Sequence, residues 1–393
     1  MIEPNVQTDL VTCPICDRQV PPGEFCGACG AHLLSDRADA HGRKHAFAAH
    51  PGEHMVHLSV ISTLLPHLPH RRTAPFRVAL VIVLLLLATL GFLRLSGPAI
   101  AVAVLAVPVL YLVYLYEVEV YEDEPVLVVG STLVVGIALG IPWALITGPL
   151  VTQQLLTNLT QGPSLASVAL AGIVLPLIAQ ALMLVGPLIV YVIRRSYDEA
   201  LDGFTFGVAC ALGFTLSTTL IEVWPELSQG LISPTTSLTY MLDVVQRGLL
   251  VPLLNASTTG VIAGAFWLNR GELRRHMSHN LFSSIPSAIA IAAILQAALG
   301  VVNVLISNEV GVVIVYTLAV GLLLFWVRIA IHHMLLAEAV DVVIGELAPC
   351  SHCHRMVPRM AFCPHCGIAT RATPKTGVGR AGRASRKGAT RPG

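Results

Sequence analysis

Charged side chains are scarce in this sequence, and their scarcity is uneven along the chain. Asp, Glu, Lys and Arg make up 12% of the 393 residues, whereas about 25% is usual for soluble domains. Residues 76–340 contain nearly all of the apolar runs, while both flanks are polar. This composition excludes an ordinary soluble globular protein. It predicts an all-α polytopic membrane protein with small modules at both ends.

The first ten residues lack the basic segment followed by an apolar segment that marks a signal peptide. We therefore expect membrane insertion to begin at the first internal apolar helix. Each apolar run is near the ~20 residues that a bilayer requires. We predict about eight transmembrane helices, over 76–95, 98–116, 126–150, 168–193, 203–224, 245–268, 283–307 and 310–336.

Eight of the nine cysteines form two groups with the same C-x2-C-x9-C-x2-C spacing. The groups are Cys13, Cys16, Cys26 and Cys29 at one end, and Cys350, Cys353, Cys363 and Cys366 at the other. They align without a gap at one constant offset, which also matches Phe25 with Phe362 and Gly30 with Gly367. The two ends of the chain therefore carry one repeated module.

Two C-x2-C pairs present four thiolates tetrahedrally to Zn²⁺, and the module resembles a short zinc ribbon. We predict two structural Zn²⁺ sites, because four protein ligands leave no open position for catalysis. A disulfide framework is the first alternative and needs an oxidising compartment. A redox dithiol is the second, although doubled pairs at this spacing favour metal. The ninth cysteine, Cys210, lies in an apolar run and is expected to be a small packing residue.

The domain organisation follows from these composition changes. Residues 10–34 and 348–370 are the predicted ribbons, and 76–340 is the predicted helical membrane domain. Residues 35–75 form a His-rich linker, expected to be solvated, with a secondary metal site at His50, His54 and His57 as the alternative. Residues 371–393 form a basic tail that we expect to be disordered. Such a tail suits membrane lipid, while nucleic acid, or no partner at all, is the alternative.

Basic residues in the loops predict the orientation. Pairs of them occur at Arg71–Arg72, Arg194–Arg195 and Arg274–Arg275, in alternate loops that we assign to the inside. An even number of spans then returns the C-terminus to the same side. We therefore expect an integral protein of the plasma membrane with both termini cytoplasmic, where reducing conditions suit thiolate ligands.

Four polar segments of the apolar region carry a resemblance to a known family. They read YEDEP (Tyr121–Pro125), PLIAQALM (Pro176–Met183), DGFTFGVACALGFTLSTT (Asp202–Thr219) and RGLLVPLLNASTTG (Arg247–Gly260). In order, spacing and residue type, residues 121–268 resemble the PrsW family of intramembrane metalloproteases. The likeness rests on Glu124–Pro125, Asp202–Gly203, Gly207, Gly213–Phe214 and Arg247. It implies a helical membrane domain built around a metal site.

The sequence departs from the family where that resemblance places the reactive groups. The resemblance implies two Glu and a Lys on one helix, a Glu-Asn pair on a second helix and a His on a third. The matching positions here are Ala179, Gln180 and Met183, then Thr218 and Thr219, and then Asn255. No His occurs between Arg72 and Arg275. Apolar, amide and hydroxyl groups supply neither an anionic ligand nor a general base.

Several expectations follow for these residues. Gln180, Thr218 and Asn255 should converge at similar depth in a neutral hydrogen-bonded cluster, together with Thr219. Glu222 should reach water at the outer interface or pair with Arg247. His332 and His333 should be interfacial.

The sequence thus favours a pseudoprotease: a non-catalytic, PrsW-like membrane protein. It would act as a scaffold or regulator, and its ribbons would bind a cytoplasmic or membrane protein. Three alternatives stay open: an active intramembrane metalloprotease with a relocated site at Glu222, a membrane transporter or channel, and a nucleic-acid tether.

Overall fold

The structure is a computed structural model that describes residues 10–14, 17–33, 74–93, 95–118, 126–194, 200–229, 237–270, 284–306, 308–339, 344–350 and 352–368. The chain divides into two compact units. One is drawn mainly from both ends of the chain, and the other holds residues 74–114 and 123–337. Most of the predicted linker, all of the predicted tail, Cys16 and the acidic loop Tyr121–Pro125 lie outside the described residues.

The terminal unit contains two small hairpins with the same construction. Strand β1 (Val11–Thr12) pairs antiparallel with β2 (Gln19–Val20), and β3 (Leu347–Pro349) pairs antiparallel with β4 (Met356–Pro358). The repeat predicted from sequence extends to the backbone. Each hairpin turns through a residue with positive φ, Asp17 at 55° and His354 at 58°, and these two residues match in the alignment. Asp and His are among the side chains that tolerate this left-handed conformation best.

The second unit is helical. Its helices are α1 (Ala74–Phe92), α2 (Ser96–Val118), α3 (Val126–Gln161), α4 (Leu175–Met183), α5 (Val185–Ile193), α6 (Ala200–Gln229), α7 (Ser237–Val245), α8 (Val251–Leu268), α9 (Ile285–Leu305) and α10 (Glu309–Ala339). A turn at Leu165–Ser167 and a π-helix at Val168–Val174 lead into α4, and a second π-helix at Gln246–Leu250 joins α7 to α8.

Six segments in the described part of the chain are long and apolar enough to cross a membrane. They are Leu127–Asn158, Leu165–Ile193, Ala200–Pro225, Met241–Leu268, Ile285–Leu305 and Glu309–Ile331. Two shorter apolar helices, Arg77–Phe92 and Pro98–Tyr111, correspond to the first two predicted spans. The predicted class, a polytopic helical membrane protein, is confirmed, and eight is an approximate count of its spans.

Helices α6 and α8 form the centre of the helical unit. The two corresponding spans, Ala200–Pro225 and Met241–Leu268, are each 72% buried over their most apolar part, against 17–33% for the other four long spans. Small residues permit this packing: a Cβ on Gly213 of α6 would lie 2.2 Å from the Leu133 carbonyl oxygen of α3. On another face of α6, a Cβ on Gly207 would lie 2.8 Å from the Thr259 carbonyl oxygen of α8. Backbones that approach this closely leave no room for a side chain, as is common between membrane helices.

Candidate functional site

The C-terminal cysteines form a tight cluster. The sulfur atoms of Cys350, Cys353, Cys363 and Cys366 all lie within 4.8 Å of one another. The Sγ–Sγ distance is 3.8 Å both for Cys350 with Cys366 and for Cys353 with Cys363. A tetrahedron with zinc–sulfur bonds of about 2.3 Å has sulfur–sulfur edges of about 3.8 Å. The spacing therefore fits a tetrahedral Zn²⁺, and it is far longer than the ~2.05 Å of a disulfide.

The N-terminal cysteines repeat this arrangement. The sulfur atoms of Cys13, Cys26 and Cys29 lie within 4.8 Å of one another, and Cys13 and Cys29 are separated by 3.7 Å. Both clusters are held by equivalent bonds, since the Cys13 N–H donates to the Arg18 carbonyl and the Cys350 N–H to the Arg355 carbonyl, each at 2.9 Å. The placement of the fourth ligand, Cys16, stays a prediction.

The pKa values of the C-terminal cysteines shift in different directions. Burial alone would raise the pKa of Cys350, but N–H groups of Cys353 and His352, with the thiols of Cys363 and Cys353, outweigh it and lower the pKa. Burial raises the pKa of Cys363 and Cys366, partly offset by backbone N–H groups. Four sulfurs this close would repel one another as thiolates, so a cation at their centre would stabilise the thiolate form.

The two hairpin modules contact each other directly. The Phe25 N–H donates to the Pro364 carbonyl at 2.9 Å, and the Phe362 N–H donates to the Gly27 carbonyl at 2.8 Å. In the repeat alignment Phe25 matches Phe362 and Gly27 matches Pro364. The contact is therefore reciprocal, as in a two-fold symmetric interface.

A second group of polar residues lies among the central membrane helices. The Gln180 side chain donates from Nε2 to Thr259 Oγ1 at 3.0 Å and accepts at Oε1 from Thr258 Oγ1 at 2.8 Å. Gln296 Nε2 donates to Gln180 Oε1 at 3.1 Å and to Asn255 Oδ1 at 2.9 Å. Asn255 Nδ2 in turn donates to Thr215 Oγ1 at 2.9 Å. We call these six residues (Thr215, Gln180, Asn255, Thr258, Thr259 and Gln296) the amide cluster.

Two similar helix junctions position Gln180 and Asn255. Residues 172–180 read GIVLPLIAQ and residues 248–256 read GLLVPLLNA. In both, a π-helix around the glycine ends just before a proline, Pro176 or Pro252, near the start of the next α-helix. Proline lacks the N–H that would bond four residues back, and π-helical turns absorb such irregularity. Each junction thus precedes, by about one turn, a polar side chain of the amide cluster.

The predicted convergence of Gln180 and Asn255 is confirmed, through the bridging amide of Gln296. The threonine in the cluster is Thr215 and not the predicted Thr218. The Thr218 hydroxyl donates to the Thr215 carbonyl of its own helix at 3.0 Å, whereas the Thr215 hydroxyl accepts the hydrogen bond from Asn255. Thr215 lies nearly one turn earlier on α6, which corrects the predicted register. Our reading of the sequence missed Gln296, although an amide inside the apolar span Ile285–Leu305 is a signal in itself.

The amide cluster does not fit a catalytic metal. It offers amides and hydroxyls, and the side-chain oxygens of Gln180 and Asn255 already accept hydrogen bonds. Among the described residues, groups of three or more His, Cys, Asp or Glu able to hold an ion occur at the two cysteine clusters. Glu222 is exposed and lies within the electrostatic influence of Arg247 and Asp243.

Other predicted residues have simpler roles. The Arg247 side chain forms an ion pair with Asp243, with 2.8 Å between Nε and Oδ1, so Arg247 has an acidic partner other than Glu222. His332 and His333 lie on α10. Cys210 is fully buried, and its sulfur lies against Gly186, which confirms the predicted packing role.

Comparison with known proteins places these helices in a wider group. A family model described as PrsW family intramembrane metalloprotease matches residues 124–331, which is more than half of the chain and includes every residue of the amide cluster. No curated protein and no solved structure matches the chain.

Proposed function

Because the chain belongs to the PrsW family of intramembrane metalloproteases, we propose that it is a pseudoprotease, a member that uses the family's helical membrane domain as a scaffold. Its paired zinc ribbons serve as the binding surface for another protein. The observation that carries this proposal is the amide cluster. Neutral side chains that satisfy one another occupy the centre of the helical unit, where hydrolysis would require an activated water and a base.

The ion at the two cysteine clusters is Zn²⁺ in this proposal. Two observations support this assignment: every ligand atom is a sulfur, and the measured sulfur–sulfur distances are 3.7–3.8 Å. Soft thiolates select zinc, copper(I) or iron, and paired knuckles in a small module are typical of structural zinc. With four cysteine ligands the ion stabilises the ribbon and does not react.

The contact between the ribbons supports their location on one side of the membrane. Modules that share backbone hydrogen bonds occupy the same compartment, so an even number of crossings separates them. Six long spans, or those six together with the two shorter helices, both satisfy this condition. Reduced thiolate ligands and the basic loops favour the cytoplasmic side of the plasma membrane.

Exposed apolar side chains on the ribbons support a protein partner. Leu347 and Met356 are 57% and 61% exposed, and Leu10, the counterpart of Leu347 in the repeat, is 43% exposed. Large apolar side chains exposed on so small a module suit a protein surface, either cytoplasmic or at the membrane. The basic tail would add contact with anionic lipid.

Metal content of purified protein in detergent micelles tests the proposal. We expect two zinc ions per chain, and none after all eight paired cysteines are replaced by Ser. Cys210→Ala is the matched control, because this cysteine belongs to neither cluster, and it should keep both ions. A metal ion that survives the eightfold replacement would favour the alternative, an active protease with a relocated site at Glu222.

Cleavage by this chain of a helical substrate within the bilayer, abolished by Glu222→Gln, would overturn the pseudoprotease reading. A transporter, the remaining alternative, would instead show flux of a solute in proteoliposomes that Gln180→Leu changes.

A further inference from the structure

The hydrogen bonds between the ribbons lie on both sides of one metal-ligand cysteine in each ribbon. The Phe25 N–H and the Gly27 carbonyl flank Cys26, and both bond to the other ribbon. On that ribbon the matching groups, the Phe362 N–H and the Pro364 carbonyl, flank Cys363. Each hydrogen bond therefore joins backbone next to one zinc ligand to backbone next to the other.

Close packing reinforces these bonds. A Cβ on Gly23 would lie 2.5 Å from the Pro364 carbonyl oxygen, and a Cβ on Gly27 would lie 2.3 Å from Met360 Sδ. Gly23 matches Met360 in the repeat, and Gly27 matches Pro364. The packing contacts therefore repeat reciprocally around the same pseudo-two-fold axis as the hydrogen bonds.

We propose that the two zinc sites are energetically coupled, so that each ribbon holds its ion more tightly when the other ribbon is folded around its own. This inference rests on the zinc assignment under the proposed function. A ribbon of this size lacks a core of its own, and its folding depends on metal. Metal loss frees the segment around Cys26 or Cys363, and that segment forms the contact. Coupling between two binding sites is necessarily reciprocal.

The consequence is a zinc-dependent latch between the two ends of the chain. When zinc is abundant, the ribbons stay paired and present one composite surface to a partner. When free zinc falls, the ions leave together, the ribbons separate and that surface is lost in one step. A pair of independent ribbons would instead lose metal, and partner binding, gradually.

The test is zinc release from the full-length protein in micelles, followed with a chromogenic chelator over a series of free-zinc concentrations. Gly23→Ala keeps every cysteine but places a methyl group against the Pro364 carbonyl, which belongs to the rigid backbone. Glu24→Ala is the matched control, since Glu24 is the next residue along the chain and its side chain is exposed. Cys363→Ser removes one ligand of the C-terminal site.

We expect the wild type and Glu24→Ala to release two ions in one cooperative step. Gly23→Ala should release them in two independent steps, with affinity lower by roughly tenfold, the effect expected for losing one or two backbone hydrogen bonds. Cys363→Ser should weaken the intact N-terminal site by a similar factor.

Two independent steps in the wild type, or a Gly23→Ala protein indistinguishable from Glu24→Ala, would contradict the coupling but leave the zinc assignment intact. Fewer than two ions in the wild type would contradict the proposed function itself.

Discussion

Replacing Gln180 with Leu tests whether the amide cluster is structural. The substitution keeps the side chain's approximate volume and removes three hydrogen bonds, to Thr258, Thr259 and Gln296. Hydrogen bonds between membrane helices contribute about 0.6 kcal/mol each on average. The expected loss of unfolding free energy is therefore about 2 kcal/mol.

The partners left behind do not add a large penalty. Thr258 still donates to the Leu254 carbonyl at 2.9 Å, and Gln296 still donates to Asn255 at 2.9 Å. Because no charge is stranded, the loss should stay near the sum of the three bonds. It should not reach the larger values seen when a buried ion pair is broken.

Thr218→Val is the matched control. Thr218 lies in the same unit, but its hydroxyl donates to a carbonyl of its own helix, so its replacement should change the unfolding free energy by less than about 0.5 kcal/mol. The measurement is reversible unfolding in mixed micelles, followed by circular dichroism while the mole fraction of denaturing detergent rises.

A double replacement checks the geometry. Gln180→Leu and Gln296→Leu share one bond, so their combined effect should fall short of the sum by about 0.6 kcal/mol. If Gln180→Leu is no more destabilising than Thr218→Val, the amide cluster does not hold the helices together and our reasoning about it is wrong. A stabilised Gln180→Leu would point instead to a strained functional site.

Further predictions concern packing, ions and topology. Gly213→Ala should destabilise the helical unit by roughly 2 kcal/mol or more, as is usual for core overpacking, because its Cβ would meet the Leu133 carbonyl oxygen at 2.2 Å. Gly130→Ala is the control: a Cβ on Gly130 meets nothing within 4 Å, so this variant should be neutral or slightly stabilising in the same unfolding assay. Glu222→Gln should leave the zinc content at two ions per chain by metal analysis, since this carboxylate belongs to neither cysteine cluster. A membrane-impermeant maleimide added to oriented vesicles after zinc removal should label Cys26 and Cys363 from the same side, and labelling from opposite sides would exclude the ribbon contact.

The cysteine clusters were predictable because their information is local. A C-x2-C pair forms within one turn of chain, and the ligand spacing repeats at both ends. Cys350, Cys353, Cys363 and Cys366 come together as predicted, and so do Cys13, Cys26 and Cys29. The membrane class was predictable for a similar reason, since a span is recognised by the length and polarity of one continuous segment.

The amide cluster was predictable only in part. A resemblance to the family placed Gln180 and Asn255 together, and they do converge. The choice between Thr215 and Thr218 depends on the rotation of α6 against α8, which close contacts at Gly207 help to set. Gln296 joins from α9 because Gly300 packs against Gly172 of the π-helix before α4, an approach that no local pattern encodes.

The amino-acid sequence by itself determined what each segment is: an apolar span, a thiolate knuckle or a polar flank. Polarity and ligand spacing are properties of residues close together in the sequence, so they can be recognised without knowledge of the fold. Only the tertiary structure decided which of these segments meet. The two ribbons lie near opposite ends of the sequence and still contact each other. Three amide side chains from different helices are linked by hydrogen bonds. Such contacts depend on backbone distances of a few ångströms, which are set by how all the helices and hairpins pack together.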